Sequence, residues 1–95
     1  MFIAILTYVK PLAEVNAVFP EHLKYLNNLF SQKKLLIVGK QNPWTGGVII
    51  SKKVSREEFE KMMRDDPFTK AGVSQYQIIE FIPGGYDDCL KGVIE

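Results

Sequence analysis

His22 is the only histidine in the chain. Imidazole is the side chain whose ordinary titration spans neutral pH, so proton-transfer chemistry falls to it first. On a helical wheel it stands inside an apolar arc with Phe19, Leu23, Tyr25, Leu26, Leu29 and Phe30, while Lys24, Asn27, Asn28 and Ser31 lie opposite. Such an imidazole points toward a sheet or pocket and needs hydrogen-bond partners, because an unsatisfied buried polar group costs roughly 1–3 kcal/mol. Two readings stand side by side: a core histidine bonded to a backbone carbonyl, or an acid/base group bonded to a carboxylate. For the second, Asp66 is the preferred partner. It lies where a helix must break, and Pro67-Phe68 after it would fix its backbone and set an aromatic wall beside it. Taken alone, Asp65-Asp66-Pro67 is more simply a plain helix stop, since a residue before proline is pushed out of the α region.

Other chemistries lack their parts. One histidine cannot form an imidazole pair for zinc, and no C-x-x-C, G-x-x-x-x-G-K-[ST] or G-x-G-x-x-G occurs, so no metal site and no cofactor is expected. Gly46-Gly47 and Gly84-Gly85 are isolated pairs at strand ends, where turn geometry accounts for them. Cys89, the one cysteine, cannot close an internal disulfide; it reads as a small, semi-buried side chain and fits a reducing, cytoplasmic setting.

The elements that must position His22 and Asp66 are legible from periodicity. Phe2 to Val9 is rich in β-branched and aromatic residues and reads as the first strand. From Leu12, apolar residues recur at helical steps through Phe30, but Pro20 interrupts them, so the expectation is an irregular turn before it and a regular helix from Pro20 to about Gln32. Leu35–Gly39 and Gly47–Ser51 form a hairpin across a loop containing Pro43 and Trp44. Ser55 and Glu58 make a capping box, Val54 and Phe59 a hydrophobic staple, and the helix they open ends at Asp65-Asp66. Val73 to Ile82 is the last strand; Tyr86 to Glu95 carries no readable pattern. The order is that of the α+β, ferredoxin-like βαββαβ fold, a four-stranded antiparallel sheet with two helices on one face.

The face sets of the first strand, Phe2, Ala4, Leu6 and Tyr8 on one side and Ile3, Ile5, Thr7 and Val9 on the other, are both read as apolar, and in the second strand Leu35 and Ile37 against Leu36 and Val38 repeat the pattern. Two helices cover one side, so the expected cover for the second is the sheet of another copy, giving a two-fold homodimer; a tail folded back over it is the alternative. A chain of 95 residues and 10.8 kDa, 46% hydrophobic and 24% charged, is read as one domain over residues 1–95 with a thin stability margin that gains from a partner. A net charge of +1 with scattered basic pairs leaves no footprint for nucleic acid, and the apolar run Met1–Leu6 is too short to cross a bilayer.

At these residues the chain resembles the YCII-related family, small proteins of the dimeric α+β barrel class that also contains muconolactone isomerase. Phe19-Pro20-Glu21-His22-Leu23-Lys24-Tyr25-Leu26 resembles the family's R-P-x-H-L-x-x-L, Leu35-Leu36-Ile37-Val38-Gly39 its second strand, and Asp66-Pro67-Phe68-Thr69-Lys70-Ala71-Gly72-Val73 its D-P-F-x-x-A-G-V. Two departures stand out: Phe19 where the family often has arginine, and Lys40 after Gly39 where proline is common. The resemblance implies a conserved histidine and aspartate in a pocket, here His22 and Asp66, and a cofactor-independent enzyme acting by isomerisation or elimination on a small cyclic or aromatic substrate. Tyr8, Trp44 and Phe68 are the candidate pocket walls. The alternative is a non-catalytic dimeric module that binds a small ligand or a partner. The helices of a split βαβ unit run parallel, so the start of one lies far from the end of the other. His22 and Asp66 meet only if structure before Pro20 lengthens the first helix, or if a second copy supplies one of them.

Overall fold

The computed structural model describes residues 1–94. Strands β1 (Phe2–Tyr8), β2 (Leu35–Lys40), β3 (Gly46–Ser51) and β4 (Ser74–Glu80) form one sheet in the order β2-β3-β1-β4, every neighbouring pair antiparallel. Helices α1 (Leu12–Ser31) and α2 (Arg56–Asp65) connect β1 to β2 and β3 to β4, with a short α3 (Pro67–Lys70) following α2. This is the ferredoxin-like arrangement expected from the element order. Phe2, Ala4 and Leu6 of β1 and Ile49 of β3 face Val15, Leu26 and Leu29 of α1 and Phe59, Met62 and Met63 of α2 in a single core.

The first correction falls on α1, which runs unbroken through Pro20. Proline inside a helix removes one hydrogen bond and clashes one turn back, at a cost of about 3 kcal/mol. Here Pro20 and Asn16, whose carbonyl loses its donor, are both exposed, which leaves that carbonyl open to hydration. On the opposite side Val15 is fully buried and Val18 and Phe19 pack on the core, holding the preceding turns helical. His22 therefore lies near the middle of a long helix, and α3 packs against that helix.

Four further expectations change. A bulge at Leu36 shifts the pairing between Leu35↔Ser51 and Ile37↔Ile50, so Leu35 and Val38 share the helix-facing side while Ile37 turns out to the open face, 56% exposed. Only half of the capping box forms: Ser55 Oγ accepts from the Glu58 N–H at 3.1 Å, whereas the Glu58 carboxylate pairs with Lys34 at 2.7 Å. β4 stops at Glu80, leaving Ile82 exposed, and the residues beyond it form a 3-10 turn (Asp88–Leu90) and a one-turn α4 (Lys91–Ile94) that bury no side chain. Ile37 and Ile79 stay exposed on the second sheet face, and Cys89 is exposed rather than semi-buried. Among the described residues no helix is long and apolar enough to cross a membrane.

Candidate active site

Asp66 does the two jobs that its position allows. Its backbone leaves the α region (φ −60°, ψ 131°), which ends α2, and its side chain caps α3, with Oδ1 accepting the Phe68 N–H at 2.8 Å. Pro67 at the first position of α3 needs no N–H acceptor and is pre-set for the helical φ. The same Oδ1 lies 2.7 Å from His22 Nδ1, within one chain. His22 is thus bonded to a carboxylate and not to a backbone carbonyl, and no second copy is needed to bring the pair together.

The pair is buried, with His22 7% and Asp66 1% exposed. The Phe68 ring lies flat against the imidazole, 3.8 Å between centroids and 6° from parallel. One turn of chain, Asp66-Pro67-Phe68, therefore fixes the imidazole by a hydrogen bond to one ring nitrogen and by a stacked face. With Asp66 as acceptor, Nδ1 carries the proton of the neutral ring and the lone pair falls on Nε2. Nε2 has no hydrogen-bond partner among the described residues and is not sealed from solvent. Asp66 Oδ2, by contrast, is buried without a partner among them.

His22 lines a cavity of about 110 Å³ between α1 and the sheet, floored by Leu6, Val38 and Ile49. Of the candidate walls, Tyr8 and Phe68 line it, meeting edge to face at 5.8 Å. Trp44 stands behind Tyr8: its Nε1 donates to Tyr8 Oη at 2.8 Å, and its ring meets Tyr8 and Phe19 edge to face. Burial pushes the Tyr8 phenol above its usual range, with the Trp44 hydrogen bond opposing that rise, so the hydroxyl keeps its proton at neutral pH. Having accepted from Trp44, it is left with a hydrogen to donate.

Two residues here were not anticipated. Tyr25, one turn after His22, donates its hydroxyl to the Met62 carbonyl at 2.8 Å, fastening α1 to α2 one turn before Asp66. Burial, with the charges of Asp65 and Asp66 adding to it, pushes the Tyr25 pKa up to about 12. Its place inside the apolar arc was the available signal. Lys40 lines the cavity as well, its ammonium 4.1 Å from the Trp44 ring centroid and 5.4 Å from that of Phe19. Lys40 and Trp44 lie four positions apart across a loop, a spacing that carries no periodic signal. Among the described residues no group of three or more His, Cys, Asp or Glu side chains is placed to hold a metal ion.

The fold has a counterpart among solved structures. A 5-chloro-2-hydroxyhydroquinone dehydrochlorinase from Burkholderia phenoliruptrix AC1100, solved in complex with 2,5-dihydroxybenzoquinone, superposes with a TM-score of 0.68 at 24% identity, over 85% of this chain and 93% of that one. At that identity the likeness speaks for a shared ferredoxin-like, α+β barrel fold. A search of curated proteins finds no match. The family model of the YCII-related domain matches residues 1–82, a span that runs from the first strand to beyond the last and includes both His22 and Asp66. The chain belongs to the YCII-related family.

Proposed function

We propose that this protein is a cofactor-independent acid/base enzyme that moves a proton on a small cyclic or aromatic substrate, by elimination or isomerisation. The observation that carries this is the buried 2.7 Å His22–Asp66 pair, whose histidine opens onto a cavity walled by aromatic and aliphatic side chains. His22 Nε2 acts as the general base. It takes a proton from the substrate, and Asp66 holds the ring in the required tautomer and stabilises the imidazolium that results. In an elimination the electron pair freed from the broken C–H or O–H bond moves into the ring and expels a leaving group with its own bonding pair. The imidazolium then gives its proton to water. In an isomerisation Nε2 returns the proton at a second carbon. The solved structure that carries the same fold is a dehydrochlorinase in complex with a quinone, which favours elimination from a single ring.

The test is a screen of halogenated quinols and cyclic carbon acids for halide release and for solvent-deuterium exchange. Turnover that falls by at least about a hundredfold in His22→Ala, with the far-UV circular dichroism unchanged, is the expected result. Saturable binding without turnover in any member of the screen would instead make the cavity a ligand-binding site.

We also propose that the chain forms a homodimer through its open sheet face. Ile37, Ile50, Ile3 and Ile79 stand in register as one row across all four strands, with Ile37 56% and Ile79 39% exposed.

A further inference from the structure

We infer that the ligand of this cavity is a monocyclic anion and that the Lys40 ammonium is its charge partner. The inference deepens the acid/base reading and rests on it for the role of the cavity. Three polar side chains line the cavity, Tyr8, His22 and Lys40, and none of its lining residues is acidic. Lys40 ends β2, beside the loop that carries Trp44, and its ammonium sits in the corner formed by the Trp44 and Phe19 rings. Among the described residues no carboxylate lies within ion-pair distance of it, whereas Lys34 is paired to Glu58 at 2.7 Å. An ammonium over two ring faces is held in place while its charge remains available to an incoming group.

The corner is itself braced. Trp44 is fixed by its hydrogen bond to Tyr8, and Phe19 packs against Trp44, Phe68 and His22. An apolar pocket repels an anion unless a cation or hydrogen-bond donors meet it. Here the Lys40 ammonium and the Tyr8 hydroxyl, which has a hydrogen to donate, supply both, while His22 Nε2 supplies the base. At about 110 Å³ the cavity is of the order of the roughly 150 Å³ that hold one benzene ring. A carboxylate or phenolate on a single ring would sit against Lys40 and Tyr8, and the ring would lie among Phe19, Phe68 and Leu6.

The experiment compares benzoate with benzamide, a neutral molecule of nearly the same shape, by titrating each while following the His22 ring resonances by NMR. The phenolate arm uses 2,5-dihydroxybenzoquinone against unsubstituted benzoquinone. Either anion should bind at least about tenfold more tightly than its neutral counterpart and lose affinity as salt is raised. Benzoate preference alone would identify a carboxylate site, and quinone-anion preference alone a phenolate site. Lys40→Met should erase the preference and Lys40→Arg should retain it. Equal affinity for anion and neutral molecule, absence of saturable binding by all four, or a preference that survives in Lys40→Met would overturn the inference. Turnover separates it from the acid/base reading. If His22 is not the base, His22→Ala turns over like the parent, or neither turns over, while the parent keeps its Lys40-dependent anion preference; if Lys40 is not the anion partner, His22-dependent turnover persists in Lys40→Met with unchanged KM.

Discussion

Asp66 Oδ1 accepts two hydrogen bonds at once, from the His22 ring and from the Phe68 backbone. Asp66→Asn keeps an oxygen there for both donors and removes only the charge. Its fold should survive, while turnover drops by about two to four orders of magnitude, because an uncharged acceptor stabilises the imidazolium poorly. Asp66→Ala strands both donors and should lower unfolding free energy by about 1–3 kcal/mol in urea titrations. Activity in Asp66→Asn equal to that of the parent would remove Asp66 from the mechanism. Tyr25 gives a prediction in pH. Its pKa in the folded chain, about 12, lies above the ordinary value of 10, so the unfolded chain releases the phenolic proton first. Its contribution to stability is complete below pH of about 10 and declines as pH rises toward about 12. Tyr25→Phe should flatten the decline across that window, and a difference between parent and variant that stays constant across it would contradict the assignment. At this scale His22 was legible as the one imidazole of the chain, set in an apolar arc, and Asp66, one of eleven acidic residues, by its place before Pro67 and by the motif around it that resembles the family's. Lys40 was not legible, since its significance comes from rings contributed by a helix and a loop, and no spacing encodes that meeting.

Helix α1 shows how burial on one face outweighs a local breaker on the other. Pro20 reads as a boundary in any window of sequence, and the balance tips only when the sheet beneath Val15, Val18 and Phe19 is counted. The same holds for β2, where strict alternation assigned Leu35 and Ile37 to one face. The bulge at Leu36 separates them, and nothing in a run of five apolar residues marks where an extra one will be inserted. The end of α2 was readable because proline acts through its own backbone and that of its neighbour, which no tertiary contact cancels. The C-terminus of α1 offers a measurable case of a local cost. Lys33 adopts φ 61°, in the left-handed region that glycine enters freely, while its N–H bonds the Phe30 carbonyl and the Lys34 N–H bonds that of Leu29. Lys33→Gly should therefore raise stability by up to about 1 kcal/mol, and Lys33→Val, β-branched, should lower it by at least as much. Thermal melts of the pair check this: the two variants should shift the midpoint in opposite directions. A shift in the same direction would mean that the turn relaxes to another conformation.

The site occupies the side of the sheet that the helices cover, so the opposite side is free to serve assembly. That side carries Ile3, Ile5, Val48 and Ile50 along the two central strands, with Ile37 and Ile79 on the flanking ones. It was legible as a doubled apolar pattern in β1, although the bulge in β2 had to be known before Ile37 could be placed there. In the proposed homodimer a two-fold axis would cover this face with the same surface of a second copy, isoleucine row against isoleucine row. For a chain of 10.8 kDa the gain is substantial, since small domains bury a low fraction of their surface alone. Sedimentation equilibrium should give a mass of twice 10.8 kDa for the parent. Replacing Ile37 and Ile79 together by lysine removes two side chains already 56% and 39% exposed, so it costs the single chain little while setting charges against an apolar partner. The variant should sediment as a single chain, melt at a lower temperature, and keep the His22 ring stacked on Phe68, because the pair lies wholly within one chain on the other side of the sheet. If the parent itself sediments at 10.8 kDa across the micromolar range, the isoleucine row does not mediate self-association. If the variant dissociates and loses turnover with its His22 resonances unmoved, the second copy contributes to the reaction by shaping the cavity from outside the pair.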